Sequence, residues 1–513
     1  MSRAERSVRP ARRVEAKTHT SAPRTSRHVL IVDLNNFANF PTLAVGLLTS
    51  ALRDRGHRVE LLCPLAYDVP AAEREWRETW LDHLKRRIHL TDWTPALSVR
   101  DVLRKAYRRS ISRPNQLVLR EVDRVLTADP DAVLLSAYLQ HHEAVFEIGQ
   151  RAAARGVPLL LGGPMFNLNE VAQHWRGIPG LKAVVGAEVD RDLPDIVETL
   201  CSGGDLLVHR GVVLPDGRAS GPAAPLRNLD AVPMPDFTDF PWDRYPVRIV
   251  PIMTGRGCQW DKCLFCSDVI STSGRTFRTR SVENVLLEMQ EQARRHETTN
   301  FLFLDLKLNS WPGMMRGIGQ NIGRYVQGAE WVGTVHVDQR RDNGLSRTDL
   351  QTAVDGGMRR ISFGLETGSQ ALLDAMRKGS SVERNAQFIH DAHAAGLSVR
   401  CTMFKGFPSE SAADMTATAD FLERHAPFLD RVRFNDFTIS MGTPIWRAVQ
   451  EKSLKEGPIV LGHSDSQTAR ANYRYRVAKD SAYRRAKARA LAVVHDINRQ
   501  ALRDAARQFD GLM

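Results

Sequence analysis

Cysteine is scarce in this chain. Six residues in 513 cannot cross-link a protein of this size, which excludes a disulfide framework. Long apolar runs are missing too, and none reaches the roughly 18 residues that a membrane span requires. The first 27 residues hold basic residues, Ser, Thr and Pro without the apolar centre of a signal peptide. The expectation is a cytoplasmic protein with no membrane partner. Fixed-period repeats are also absent. A single-signed body is absent as well, although the net charge is +12. Residues 1–27 hold eight basic against two acidic residues, and 446–513 hold fourteen against seven, which leaves 28–445 at −1. Basicity therefore belongs to the two ends, read as solvated or partner-facing tails, and a nucleic-acid partner is not expected.

What is there is a globular composition, 42% hydrophobic and 25% charged, long enough for two to four domains. An apolar run at 28–33 reads as a buried strand. A helical pattern at 42–54, stopped by Gly56, and a second strand at 58–62 complete the start of a βαβ unit. A polar, helix-biased insertion covers about 70–128. Strands at 132–137, 157–161 and 183–185 then alternate with helices at 141–155 and 193–200, the pattern of a doubly wound Rossmann-like sheet. Residues 206–245, rich in Pro, Gly and Asp, read as a linker. Strand-helix alternation resumes six times between 246 and 445, which predicts a parallel (β/α)6 barrel, closed or partial. The fold class is α/β, with domains at 28–205 and 246–445, a disordered basic tail at 1–27, and a helical basic region at 446–513.

Three of the six cysteines crowd onto one loop, Gly255-Arg-Gly-Cys258-Gln-Trp-Asp-Lys-Cys263-Leu-Phe-Cys266, just after the first barrel strand. This C-x4-C-x2-C spacing lets three thiolates wrap a soft metal. Zinc would require a fourth Cys or His, and none lies between 267 and 295. A plant-type [2Fe–2S] centre also requires a fourth Cys, for which only Cys401 or Cys201 could serve. A [4Fe–4S] cluster with one open iron needs only the three.

These features resemble radical S-adenosylmethionine (SAM) enzymes with an N-terminal cobalamin-binding domain. The resemblance covers about 28–445. It rests on the cysteine loop with Phe265, on Ile361-Ser-Phe-Gly-Leu-Glu-Thr-Gly-Ser369, on Ala371-Leu-Leu-Asp-Ala-Met-Arg-Lys-Gly379, on Phe404-Lys-Gly-Phe-Pro-Ser-Glu410 and on Met441-Gly-Thr-Pro444. The loop departs from the usual C-x3-C-x2-C by one extra residue, which a bulge can absorb. The resemblance implies that Cys258, Cys263 and Cys266 ligate a [4Fe–4S] cluster. It implies that SAM is held by Phe265, Asp305, Glu366, Arg400 and Gly406, with Glu366 on the ribose, Asp305 toward the amino end, Arg400 on the carboxylate and Gly406 beneath the adenine. For cobalamin it implies Asn36, Ser136, Tyr138, Gly162, Gly163 and Glu188, with cobalt lacking a protein His, because 33–38 reads Asp-Leu-Asn-Asn-Phe-Ala. His141 and His142 read as surface or capping residues.

The leading expectation is a cobalamin-dependent radical SAM C-methyltransferase on an unactivated carbon of a natural product or peptide. Its partners would be a small-molecule or peptide substrate and an electron donor such as flavodoxin or ferredoxin. Ring contraction, cyclisation or rearrangement without methyl transfer is the alternative within the family. A metal-knuckle nucleic-acid-binding protein is the alternative outside it.

Overall fold

The computed structural model describes residues 26–35, 38–67, 69, 77–267, 277–451, 459–475 and 479–512. The first unit runs β1 (His28–Asp33), α1 (Leu43–Asp54), β2 (Arg58–Leu62), α2 (Trp80–His89), α3 (Thr94–Ser112), α4 (Gln116–Leu126), β3 (Ala132–Ser136), α5 (His142–Ala154), β4 (Leu159–Gly162), α6 (Asn169–Trp175), β5 (Leu181–Val185), α7 (Leu193–Cys201) and β6 (Val212–Val213). Its sheet has the order β2-β1-β3-β4-β5-β6. The first five strands are parallel, and β6, from the segment expected to be only a linker, adds antiparallel to β5. A parallel strand is covered by helices on both faces, which is why β1 is a continuous apolar run with residues 29–33 buried.

The second unit begins with β7 (Val250–Ile252), β8 (Gly255–Arg256) and β9 (Arg278–Thr279). It continues with α8 (Val282–His296), β10 (Asn300–Phe303), α9 (Pro312–Tyr325), β11 (Glu330–Val335), α10 (Arg347–Asp355), β12 (Met358–Glu366), α11 (Gln370–Ala375), α12 (Val382–Ala394), β13 (Ser398–Lys405), α13 (Ala412–His425) and β14 (Arg431–Asp436). Six parallel strands, β7-β10-β11-β12-β13-β14, form the sheet, and β7 and β14 are its unpaired ends among the described residues. The barrel is therefore partial. Ser346 and Ser411 start α10 and α13 with reciprocal capping boxes to Asp349 and Asp414.

The C-terminal region corrects the sequence expectation of helix throughout. After β15 (Ile439–Ser440) and α14 (Pro444–Gln450), β16 (Ile459–Asp465) and β17 (Arg470–Tyr475) form an antiparallel sheet with β15, and only then does α15 (Ser481–Asn498) begin. The period-2 alternation Arg470-Ala-Asn-Tyr-Arg-Tyr475 is a strand signal that the surrounding Ala/Arg composition hides. Nor is this region a free basic tail. Lys487 is buried against Asp92 and the Leu90 carbonyl, and Lys479 donates to the Glu410 carbonyl. Phe509 and Leu512 are buried against Leu302 and Val332 of the barrel strands.

Both units share one apolar core. It runs from Val29 and Ile31 through Phe237, a fully buried residue of the connecting segment, to Phe301 and Ile361.

Asp33, at the C-terminal end of β1, is buried there, and burial pushes its pKa from 3.8 to about 6 against hydrogen bonds from Thr42 and from the Asn35 amide. Between those values the folded chain keeps a proton that the unfolded chain releases. The stability this carboxyl confers is full below about pH 4 and disappears as pH rises through 6. Asp33→Asn, which cannot ionise, is expected to match the parent near pH 4 and to exceed it by about 2 kcal/mol at pH 7. Urea unfolding of both proteins across that range measures the difference, and parallel curves would contradict it.

Candidate metal centre

The cysteine loop leaves the sheet from the C-terminal end of β7, and Asp305, two residues beyond β10, fixes its departure. Its carboxylate accepts from the Thr254 amide (3.0 Å), the Thr254 hydroxyl (2.7 Å) and the Gly255 amide (2.9 Å). Burial outweighs these donors and raises its pKa to about 6. The Asp305 carboxylate, expected from the resemblance to lie toward the amino end of SAM, thus fixes the start of the loop through the donors of Thr254 and Gly255.

Past Gly257 the loop must fit one residue more than usual between Cys258 and Cys263. Asp261 takes the left-handed conformation, φ +43°, which makes the bulge, and Trp260 anchors it. The indole Nε1 donates to the Arg377 carbonyl at 2.9 Å, and its ring stacks on His336 at 6.3 Å between centroids. Gly379, φ +71°, has no Cβ where the indole lies; one placed there would fall inside the ring. The Leu264 amide donates to the Met376 carbonyl at 3.0 Å, and Gln259 accepts from Arg340 at 2.5 Å. The turn 376–379 after α11 therefore grips the loop at three points.

The same turn carries Lys378, a buried cation 2.6 Å from Glu366 Oε1. Although burial opposes its charge, Glu366, Cys263 and Cys266 raise its pKa to about 12. Burial raises the Cys263 thiol, and Lys378 is the foremost charge drawing it back. Lys307, paired with Asp338 at 2.6 Å and buried with it, feels the field of Cys258. Three thiols free of disulfides, with two buried lysines beside them, are a donor set that suits an anionic thiolate-bound cluster. His336 is kept neutral chiefly by burial, then by Lys378 and Lys307. Its Nε2 is a buried nitrogen with no hydrogen-bond partner among the described residues.

Glu366 ends β12 in the left-handed conformation, φ +61°, where the pairing with β13 shifts register. Non-glycine residues adopt that conformation only at a cost, so the bulge marks a position where the carboxylate is deliberately aimed. Gly364 gives the room: a Cβ there would collide with Glu366 Oε1 and crowd Lys378 Nζ. Phe265 packs edge-on against Phe404 at 5.1 Å, with Lys378 Nζ 5.7 Å from its ring centre. Gly406, φ +92°, is a turn glycine whose amide donates to Glu410 (2.6 Å) and whose carbonyl accepts from Tyr473 (2.9 Å). Arg400, expected from the resemblance on the SAM carboxylate, lies on β13. It pairs with Ser362, four residues before Glu366 on β12, and with Arg431 on β14, and its charge, with that of Arg431, helps burial depress Arg360 to about 10.

In the N-terminal sheet Ser136 and Gly162 pair side by side at the ends of β3 and β4. Tyr138, 39% exposed, follows. An added Cβ at Gly162 would meet only the Val185 carbonyl at 3.6 Å, so this edge is open, whereas one at Gly163 would strike the Ala137 carbonyl. Gly163 serves the sheet's own turn. Glu188 is likewise committed: it pairs with Arg278 (2.7 Å) and Arg256 (3.3 Å) and accepts from the Leu226 amide. These two residues, expected from the resemblance to line cobalamin, make these contacts within the protein. Asn36 lies outside the described residues. His141, read as surface or capping, is buried, held neutral with a pKa of about 4, and its Nδ1 has no partner among the described residues.

Sequence reasoning missed Trp260, Lys378 and Lys307 as parts of the site. Each had a signal: a tryptophan inside a cysteine spacer, and lysines in the segments after β10 and α11 where an apolar core residue would otherwise be expected.

Residues 252–422 match the Radical SAM superfamily family model. An uncharacterized methyltransferase of Pyrococcus horikoshii is 25% identical over 326 residues, 62% of this chain and 69% of that protein. The structure of the cobalamin-dependent SAM radical enzyme OxsB with aqua-cobalamin and SAM bound superposes with a TM-score of 0.66 at 17% identity, covering 90% of this chain and 66% of that one, just under two thirds of its length. The radical SAM methyltransferase TsrM from Kitasatospora setae, with cobalamin and a [4Fe-4S] cluster bound, superposes with a TM-score of 0.57 at 17% identity, covering 86% of this chain and 81% of that one. The two-unit fold is that of these structures.

Proposed function

We propose that this chain, whose residues 252–422 carry a radical SAM domain, is a cobalamin-dependent C-methyltransferase acting on an unactivated carbon of a natural product or peptide, reduced by a flavodoxin- or ferredoxin-type donor. The observation that carries it is the convergence of Cys258, Cys263 and Cys266 with Glu366 around the single turn 376–379, at the C-terminal end of a parallel sheet. The methyl transfer rests on the names of the relatives and on the second, Rossmann-like unit, whose open edge at Ser136, Tyr138 and Gly162 suits a bulky planar cofactor.

When bound, the cluster and cobalamin supply the electron that cleaves SAM to methionine and a deoxyadenosyl radical, and the methyl group that is transferred. The protein's part is positional. Cys258, Cys263 and Cys266 hold the cluster, while Lys378 and Lys307 offset the negative charge of the thiolates in a medium where an uncompensated charge is costly. Glu366 presents Oε2 while Lys378 holds Oε1, so the carboxylate is oriented before a ribose hydroxyl donates to it. Phe265, Phe404 and Phe437 form an apolar wall beside the cysteines that excludes water.

Anaerobic reconstitution tests the reading. About four irons and one cobalamin per chain are expected, with iron lost when the three cysteines are replaced by alanine. A product heavier by one methyl is expected on turnover. Zinc without iron would return the chain to the metal-knuckle alternative. An unmethylated, rearranged product would keep the radical chemistry and remove the methyl transfer.

A further inference from the structure

Among the described residues, ten of the sixteen exposed large apolar side chains fall between Trp80 and Leu117, so the exposure is concentrated on the inserted helices. Each helix is amphipathic and turned inside out. On α2 the stripe Trp80, Leu84 and Ile88, one turn apart, faces solvent. On α3 the stripe Val99, Leu103 and Tyr107 does the same. It is the polar side that faces the protein. Arg86 pairs with the buried Glu78, which also accepts from Asn498 of α15 at 3.0 Å. Arg104 pairs with Asp436 at the end of β14. Arg100 donates to the Thr91 carbonyl at 3.1 Å. These ion pairs fix the rotation of both helices, so the apolar stripes cannot roll inward without stranding buried charge.

The charge around the stripes has one sign. Residues 77–113 hold ten Lys and Arg against four Asp and Glu, within a body (28–445) whose net charge is −1. Arg87, Lys105 and Arg109 are exposed, with no acidic partner among the described residues. An apolar stripe ending in Trp and Tyr and rimmed by cations is the chemistry of a helix that lies in the headgroup region of an anionic bilayer. There the aromatic rings take the interface, and long basic side chains reach back to the phosphates. Among the described residues no helix is long and apolar enough to cross a membrane, which does not bear on such contact.

We propose that α2 and α3 form a peripheral docking surface for an anionic lipid bilayer. The surface also delivers the barrel mouth to the bilayer, because Asp92, in the turn between the two helices, pairs with Lys405 at the end of β13.

Flotation of the full-length protein with vesicles tests this independently of any catalysis. Binding is expected to vesicles containing phosphatidylglycerol and not to phosphatidylcholine alone. It should weaken by about fivefold for each of Arg87 and Lys105 replaced by glutamine, and it should fall as salt shortens the Debye length. Leu84→Glu with Leu103→Glu, both at exposed positions, should abolish it while leaving circular dichroism and melting unchanged. Absence of binding to anionic vesicles, or binding that the double variant retains, would overturn the proposal. So would a concentration-dependent dimer of the parent that the double variant loses without any vesicle binding, since the stripes would then belong to a second copy.

Discussion

Alanine at position 379 is expected to strip the protein of its iron. Gly379 sits at φ +71°, where any other residue is strained, and the Cβ of Gly379→Ala would occupy the space of the Trp260 indole. Strain of about 1–2 kcal/mol in the backbone adds to an overpacking cost of about 1–3 kcal/mol. The least costly relief is for Trp260 to leave, because it is held by one hydrogen bond to the Arg377 carbonyl, its stack on His336 and the Lys262 ammonium over its ring, and it is partly exposed at the surface of the loop rather than locked in the core. Trp260 is the anchor of a spacer one residue too long, so its departure frees Cys258 to move away from Cys263. Iron per chain after reconstitution should drop severalfold, with the cluster's visible absorption falling in step. Trp260→Ala should lose less, because the loop can still settle against the turn. The double variant should recover iron relative to Gly379→Ala, since the obstruction is gone; additive losses would show instead that Gly379 and Trp260 act separately.

Arg256→Met is expected to loosen the join between the two units by about 3–5 kcal/mol. The Arg256 guanidinium is bidentate to Asp190 (2.7 and 2.9 Å) and reaches Glu188 at 3.3 Å, with side chains roughly one-tenth exposed. Removing it leaves Asp190 without this partner in a poorly solvated place, while Glu188 keeps Arg278. Arg256 lies two residues before Cys258, so the loss is also transmitted to the cysteine loop. Urea unfolding should show the drop, and limited proteolysis should reach the connecting segment at lower protease concentration. Arg256→Lys keeps the charge but not the two-pronged geometry, and an intermediate value is expected. A change under 1 kcal/mol for the methionine variant would mean that the Arg278–Glu188 pair carries the interface alone.

The alternation of strand and helix was legible because it depends on local periodicity. The helix α8 spans Val282–His296, as its apolar period predicts, and the six barrel strands fall where apolar runs alternate with helical patterns. The crowding of Cys258, Cys263 and Cys266 on one loop was legible because their spacing is itself the signal, and the positions of Glu366 and Phe265 came from the motifs around them. Other readings stop where local sequence is degenerate. Glu188 and Gly163 carry motifs that serve a bound group or an internal contact equally well, and their contacts with Arg256, Arg278 and the Ala137 carbonyl come from the tertiary structure alone. The strand β17 was lost to an Ala/Arg composition that favours helix, and β16, just before it, was not singled out.

By itself the sequence determined the two α/β units, the three thiols on one loop and the acidic residue at the end of the fourth barrel strand, because each follows from short-range periodicity or spacing. Only the tertiary structure decided what surrounds them. Lys378 meets Glu366 across twelve residues, Trp260 meets Gly379 across more than a hundred, and the rotation of α2 and α3 is set by the Arg86–Glu78 pair tied to Asn498 of α15 and by the Arg104–Asp436 pair to β14. Such contacts depend on chain closure over long separations, where side-chain geometry and buried charge select the partner and local propensity carries no information.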